Sequence, residues 1–323
     1  MAGVPKSNPK IKNFLPSMTT KINYPLILDG GLSNVLESFG CDLNQELWSA
    51  KMLIDQPELI KRAHLAYLEA GALCITSSSY QATLSGFERI GLNRSDATKM
   101  MIKSIELADE ARSVFIKKNN QSESIFLAAS IGPYGAFLAD GSEYRGDYRI
   151  SDNELRQFHA EKIRILESTN VDFLAFETIP SLQEIQILSE LISQSKKQCW
   201  ISFSCRDSEF LNDGSKIIDA LKICSSTNNL FALGVNCTAP KYISSIIKKI
   251  RPLVQGKKII IYPNSGEIYL PESKSWKGIS DPDIFQKMAS EWLDLGVDII
   301  GGCCRIGPDH IIKLSQSLGN YTK

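Results

Sequence analysis

Eight short apolar runs, rich in β-branched residues, recur along the chain, and each is followed by a longer amphipathic stretch. This alternation constrains the fold more than any other feature, because runs that are apolar on both faces belong to parallel sheets covered by crossover helices. The runs are PLILDGG (Pro25 to Gly31), LCITSSSY (Leu73 to Tyr80), IFLAASIGP (Ile125 to Pro133), VDFLAFETIP (Val171 to Pro180), CWISFSCR (Cys199 to Arg206), LFALGVNC (Leu230 to Cys237), KIIIYPNSG (Lys258 to Gly266) and VDIIGGCC (Val297 to Cys304). Helix signals fill the gaps. Pro57 opens one segment that carries Leu59, Ile60, Ala63, Tyr67 and Ala70 at helical spacing and ends before Gly71. Ser151-x-x-Glu154 and Ser181-x-x-Glu184 read as capping boxes, and a final helix runs from near Pro308 to Gly319.

Eight strand-helix units in a chain of 323 residues predict a single α/β domain, a (β/α)8 TIM barrel over residues 24–323, behind a polar, flexible lead-in at 1–23. A doubly wound open sheet is the competing architecture. It would normally carry a Gly-rich dinucleotide turn after its first strand, whereas the turn here reads DGGLSN.

The charges balance, 36 Lys and Arg against 36 Asp and Glu, and no basic block interrupts them. Nucleic acid and anionic membrane are therefore not the expected partners. No apolar stretch is long enough for a bilayer span, and the first residues lack the apolar core of an export signal. The expected compartment is cytoplasmic and reducing, so the eight cysteines are expected as free, metal-bound or catalytic thiols.

In a barrel of this kind the reactive groups sit at the C-terminal ends of the strands. Those ends supply Asp29, Thr76, Tyr80, Glu177, Cys205, Cys237, Asn264, Cys303 and Cys304. Cys237 on one strand and Cys303 with Cys304 two strands away make a soft three-thiolate set suited to zinc, with a fourth position left for substrate. Adjacent side chains of a regular strand point to opposite faces, so both Cys303 and Cys304 can reach one ion only if the backbone leaves extended geometry. Gly301 and Gly302 make that departure easy. The bland alternative is that these are ordinary buried cysteines; Cys41, Cys74, Cys199 and Cys224 are expected to be core or bland surface, with Cys205 ambiguous. Asp29 and Glu177 are placed to hold an ammonium group, or else to cap nearby loop amides. Gly30 lets the backbone approach a ligand, and Trp48 and Tyr80 offer aromatic faces to a cation or simply pack a lid. His64, His159 and His310 fall in or near helices and match no catalytic pattern.

Taken together and in order, LDGGLSNVLE, DLNQELWSAKML, YLEAGALCITSSSYQATLSGF, SIGPYGAFLADGSEYRGDY, FLAFETIPS, GVNCTAP, YPNSGE and GGCCRIGPDHI carry a family likeness from Leu28 to Leu318. The chain resembles the zinc- and thiol-dependent homocysteine S-methyltransferases of the short plant and microbial type. The resemblance implies one Zn2+ per chain on Cys237, Cys303 and Cys304, and a homocysteine site lined by Asp29, Gly30, Thr76, Tyr80 and Glu177, with Trp48 as its aromatic. The chain ends 19 residues after Cys304, so neither the extension of the betaine-using relatives nor the modules of the cobalamin-dependent ones is expected. The implied methyl donor is a sulfonium, S-methylmethionine or S-adenosylmethionine, with Glu143, Tyr144 and Asn264 as candidate donor contacts. Other readings stay open: selenocysteine or selenohomocysteine as acceptor, a vicinal-dithiol redox or metal-handling protein, or another barrel enzyme such as a metal-assisted lyase. The oligomeric state is not legible.

Overall fold

All eight expected runs form strands of one parallel sheet: β1 (Leu26–Ile27), β2 (Cys74–Thr76), β3 (Phe126–Ile131), β4 (Phe173–Ile179), β5 (Gln198–Phe203), β6 (Leu230–Asn236), β7 (Lys258–Tyr262) and β8 (Ile299–Ile300). β1 pairs with β8, and the ladder runs from there through β7, β6, β5, β4 and β3 to β2. A parallel bridge between Leu28 and Cys74 joins the two remaining edges, with Asp29 N–H donating to the Cys74 carbonyl at 3.0 Å. The expected (β/α)8 barrel is thus what forms. The computed structural model describes residues 22, 25–43, 48–120, 124–254, 256–270, 275–278 and 280–318. The side chains of 48–50 and 268–277 and nearly all of the expected lead-in at 1–23 lie outside the described residues.

The period of two along each strand separates two cores. Leu26, Leu28, Cys74, Phe126, Ala128, Phe173, Ala175, Trp200, Ala232, Ile260 and Ile299 pack together inside the barrel. Their alternates, among them Ile27, Ile75, Leu127, Leu174, Ile201, Leu233, Ile259 and Ile300, pack outward against the helices. Helix boundaries follow local chemistry. Pro57 occupies the first turn of Pro57–Glu69, and Gly71 beyond its end takes φ +102, a conformation glycine adopts without steric cost. Ser151 and Glu154 form the expected capping box. The second box is only half made. Ser181 accepts from Glu184 N–H, but the Glu184 side chain turns away to accept from Tyr134 N–H at 2.7 Å and from the Tyr148 hydroxyl at 2.9 Å, and meets His159 Nε2 at 2.6 Å. A fully buried carboxylate is better satisfied by three partners than by one returning amide. An antiparallel hairpin of Ile268–Leu270 with Ser275–Lys277 follows β7 and lies outside the alternating pattern.

Trp200 is fully buried inside the barrel, and its indole N–H donates to the Tyr262 hydroxyl at 3.2 Å. Trp200→Ala should cost about 3–5 kcal/mol in urea unfolding. A loss below about 1 kcal/mol would show that the barrel interior is not packed this tightly.

Candidate active site

Above the apolar filling of the barrel, the inward positions turn polar: Thr76 on β2, Ser130 on β3, Glu177 on β4, Ser202 on β5, Asn236 on β6 and Tyr262 on β7. All of these but Ser202 line a cavity of about 620 Å3, whose wall also includes Asp29, Gly30, Tyr80, Glu143, Tyr144, Thr178, Cys237, Cys303 and Cys304. That volume lies within the range of small-molecule sites.

The thiols meet where β6 and β8 end. The sulfurs of Cys237, Cys303 and Cys304 all lie within 4.8 Å of one another, and Cys237 Sγ is 3.4 Å from Cys304 Sγ. Thiolates sharing a tetrahedral ion at a bond length near 2.3 Å would stand about 3.8 Å apart, so the donor set fits such an ion in chemistry and in spacing. The Cys304 thiol is held well below the usual range by hydrogen bonds from Cys237 and Cys303. Ionising all three of these half-buried, closely spaced thiols together requires a cation. The chain does leave extended geometry here. β8 stops at Ile300 and Cys304 begins a turn, but the left-handed residues are Cys237 (φ +46) and Arg305 (φ +67), not the glycines. Gly301 and Gly302 serve close approach instead. A Cβ on Gly301 would stand 2.7 Å from the Asp29 carbonyl oxygen, and one on Gly302 2.1 Å from the Ile306 side chain. Gly30 is alike, because its Cβ would meet the Ile306 carbonyl oxygen at 2.2 Å. The close contacts of these three glycines are therefore with the chain itself.

Asp29 is nearly buried and accepts from Thr76 N–H at 2.7 Å and from the Thr76 hydroxyl at 3.1 Å. Burial pushes its carboxyl well above the usual carboxylate range; the Thr76 N–H opposes that rise and the Glu177 charge adds to it. Burial also raises Glu177, against hydrogen bonds from Ser130 and Tyr262 and the charge of Lys162. Lys162, from the helix Asp152–Glu167, is buried and donates to the carbonyls of Ser79 at 2.7 Å and Tyr80 at 2.8 Å. Two carboxyls and three thiols thus share a site in which Lys162 is a nearby counter-charge. Such a site favours a cationic group. Tyr80 lines the cavity, and the Tyr144 hydroxyl lies 3.7 Å from Cys237 Sγ. Glu143 also lines it, its carboxyl raised by burial, with Oε2 buried and unpartnered.

The other positions expected from sequence are placed as follows. Trp48 begins the helix Trp48–Asp55, and its side chain lies outside the described residues. Asn264 is not on the cavity wall. Its Nδ2 donates to the Cys237 carbonyl at 3.3 Å and its Oδ1 accepts from Gly266 N–H at 2.9 Å, bracing the turn behind the thiols. Cys74, Cys199, Cys205 and Cys224 are buried away from the cavity, whereas Cys41 stands on its rim. Among the described residues no histidine reaches the cavity wall, and burial lowers the His64 ring to about 4.

A family model described as homocysteine S-methyltransferase matches residues 26–318. The chain belongs to the homocysteine S-methyltransferase family. It is a methyltransferase, which sets aside the dithiol-redox and lyase readings. The chain is 43% identical over 298 residues to the homocysteine S-methyltransferase YbgG of Bacillus subtilis (strain 168), covering 90% of this chain and 94% of that protein. It is 42% identical over 307 residues to a selenocysteine Se-methyltransferase of Brassica oleracea var. italica, covering 90% and 88%. The homocysteine methyltransferase MmuM from Escherichia coli, solved in a metallated form, superposes with TM-score 0.81 at 38% identity, covering 90% of this chain and 96% of that one.

Within this methyltransferase, sequence reasoning missed Ser130, Lys162, Thr178, Ser202, Asn236 and Tyr262. Strand parity could have found Ser130, Ser202, Asn236 and Tyr262, since each stands an even number of residues from an inward apolar neighbour. Nothing local marks Lys162, which falls on an ordinary amphipathic helix.

Cys237→Ser should drop bound metal to a small fraction of one ion per chain, read by elemental analysis of purified protein; undiminished metal would refute the three-thiol site. Burial lowers the Lys162 pKa to about 7. The unfolded chain binds that proton up to about pH 10.4 while the folded chain releases it, so stability conferred at this position rises with pH across that window. Relative to Lys162→Met, the wild type should gain up to about 1.4 kcal/mol per pH unit between pH 7 and 10 in denaturant unfolding. A flat difference would show that the ammonium stays charged.

Proposed function

We propose that this enzyme is a zinc-dependent homocysteine S-methyltransferase that moves a methyl group from a sulfonium donor to the homocysteine sulfur, forming methionine. The observation that carries the reading is the convergence of three thiols and two buried carboxyls on one cavity. Cys237, Cys303 and Cys304 would hold the ion. When bound, zinc would keep the acceptor sulfur as a thiolate at neutral pH, where a free thiol is mostly protonated. Asp29 and Glu177, poised by Thr76, Ser130 and Tyr262, take the ammonium group of homocysteine, which restores their charged forms. Glu143 and Tyr144 take the donor, while Tyr80 lines the homocysteine side of the cavity. The incoming sulfur forms a bond to the methyl carbon as the donor's sulfur–carbon bond breaks, and that electron pair leaves on the donor sulfur as a neutral thioether. No side-chain base needs to act at the methyl group, so catalysis rests on alignment of the two sulfurs. The donor loses its positive charge in the transition state, so Glu143 acts best on a part of the donor remote from the reacting sulfur. A reducing, cytoplasmic setting suits thiols that must stay unoxidised.

The identity to a selenocysteine Se-methyltransferase supports a second reading, in which a selenol is the preferred acceptor. Product analysis with homocysteine and selenocysteine, each paired with S-methylmethionine or S-adenosylmethionine, tests both. Methionine from homocysteine with at least one sulfonium is expected, and turnover with neither would refute the proposal.

Asp29→Asn and Glu177→Gln should each weaken homocysteine by about 10-fold or more with zinc retained, the loss of one charge-assisted contact. Unchanged homocysteine KM in both variants would sink the ammonium assignment. Glu143→Gln should raise the donor KM and leave that of homocysteine in place.

A further inference from the structure

Three non-glycine residues on the cavity wall, Thr178, Cys237 and Arg305, hold left-handed backbone, and of these only Thr178 is β-branched. Thr178, directly after Glu177, has φ +64, in the left-handed region that a β-branched residue rarely enters. It sits in an irregularity of β4. Phe176 is opposite Ile201 and Ile179 opposite Phe203, so three steps along β4 match two along β5, the signature of a bulge. One side chain spans the gap. Asn236 Oδ1 accepts from Thr178 N–H at 2.7 Å and from the Ser202 hydroxyl at 2.8 Å, while Asn236 Nδ2 donates to Thr178 Oγ1 at 2.8 Å. Asn236 is almost fully buried, so these bonds form where water does not compete. The same residue directly precedes Cys237, and its Nδ2 lies 3.9 Å from Cys303 Sγ.

We infer that Asn236 is a positioning residue: its amide holds Thr178 in the left-handed bulge and so aims the Glu177 carboxylate into the cavity beside the metal-binding thiols. Without the amide, the Thr178 N–H loses its acceptor and the threonine relaxes toward extended backbone, which turns the Glu177 end of β4 away from the acceptor's ammonium. The inference rests on the assignment of Glu177 to that ammonium.

Titration calorimetry of homocysteine into zinc-loaded protein tests it, with zinc content measured on the same samples. Asn236→Ala should weaken homocysteine at least tenfold while zinc stays near one per chain. Glycine enters the left-handed region freely, so in a Thr178→Gly background the further effect of Asn236→Ala should shrink to threefold or less. Thr178→Val and Thr178→Gly both lose the hydroxyl, but only glycine tolerates the bulge unaided, so the valine variant should bind homocysteine more weakly than the glycine one. This second comparison needs no change at Asn236 and stands even if Asn236→Ala does not fold. Equal losses from Asn236→Ala in both backgrounds, loss of zinc in that variant, or equal binding by the two Thr178 variants would overturn the inference. Glu177→Gln serves as the reference. If it leaves homocysteine binding unchanged, the ammonium assignment itself fails; if it weakens binding while Asn236→Ala does not, only the role of Asn236 fails.

Discussion

Closure of the sheet between β1 and β2 is the constraint on which the site depends. The Leu28 to Cys74 bridge and the Asp29 N–H bond to Cys74 bring the first strand against the second, while its other edge pairs with β8. Asp29 therefore stands between Thr76 and the Gly301–Gly302 segment that leads to Cys303 and Cys304, and Gly302 N–H donates to the Asp29 carbonyl at 3.0 Å. An open sheet would leave Asp29 on β1 and Thr76 on β2 at opposite edges. Within the closed barrel the two carboxyls and the three thiols face one another across the mouth, and side chains in that confined volume interact through a lower dielectric than water would allow.

Packing and chemistry change places along each strand. Deep positions are filled by Phe126, Phe173, Trp200 and their neighbours, and the next inward position on several strands carries a hydroxyl, amide or carboxyl. Trp200 links the two regions through its bond to Tyr262, which in turn meets the Ser202 hydroxyl at 2.5 Å. Ser202 donates to Asn236 and Asn236 clamps Thr178, so these polar groups form one connected network. A network whose members are mutually satisfied resists rotation of any single side chain. That rigidity is what a reaction governed by alignment of two sulfurs requires.

Much of the site was legible because barrel topology converts sequence position into depth. Knowing that a residue ends a strand was enough to nominate Asp29, Thr76, Glu177 and the three cysteines, and all of them reach the cavity wall. Asn264 meets the same criterion and is absent from that wall, because its amide closes a local turn against the Cys237 carbonyl. The glycines before Cys303 invited an argument from backbone freedom, yet what the structure demands of them is the absence of a Cβ against neighbouring chain. Glu184 shows the same limit, since a capping box is a local expectation and a buried carboxylate is claimed by whichever donors the fold brings to it.

By itself the sequence determined the strand-helix alternation, the inward and outward faces, the soft ligand set and the family likeness, because each follows from residue type and spacing along the chain. The tertiary structure alone decided that a buried Lys162 bonds the Ser79 and Tyr80 carbonyls with its charge felt at Glu177, that Thr178 and Cys237 take left-handed backbone, and that Asn236 joins β4 to β6 beside the thiols. Those features arise from pairs of residues distant in sequence, such as Asn236 and Thr178, and a side-chain hydrogen bond that skips a strand leaves no periodic trace in either strand that makes it.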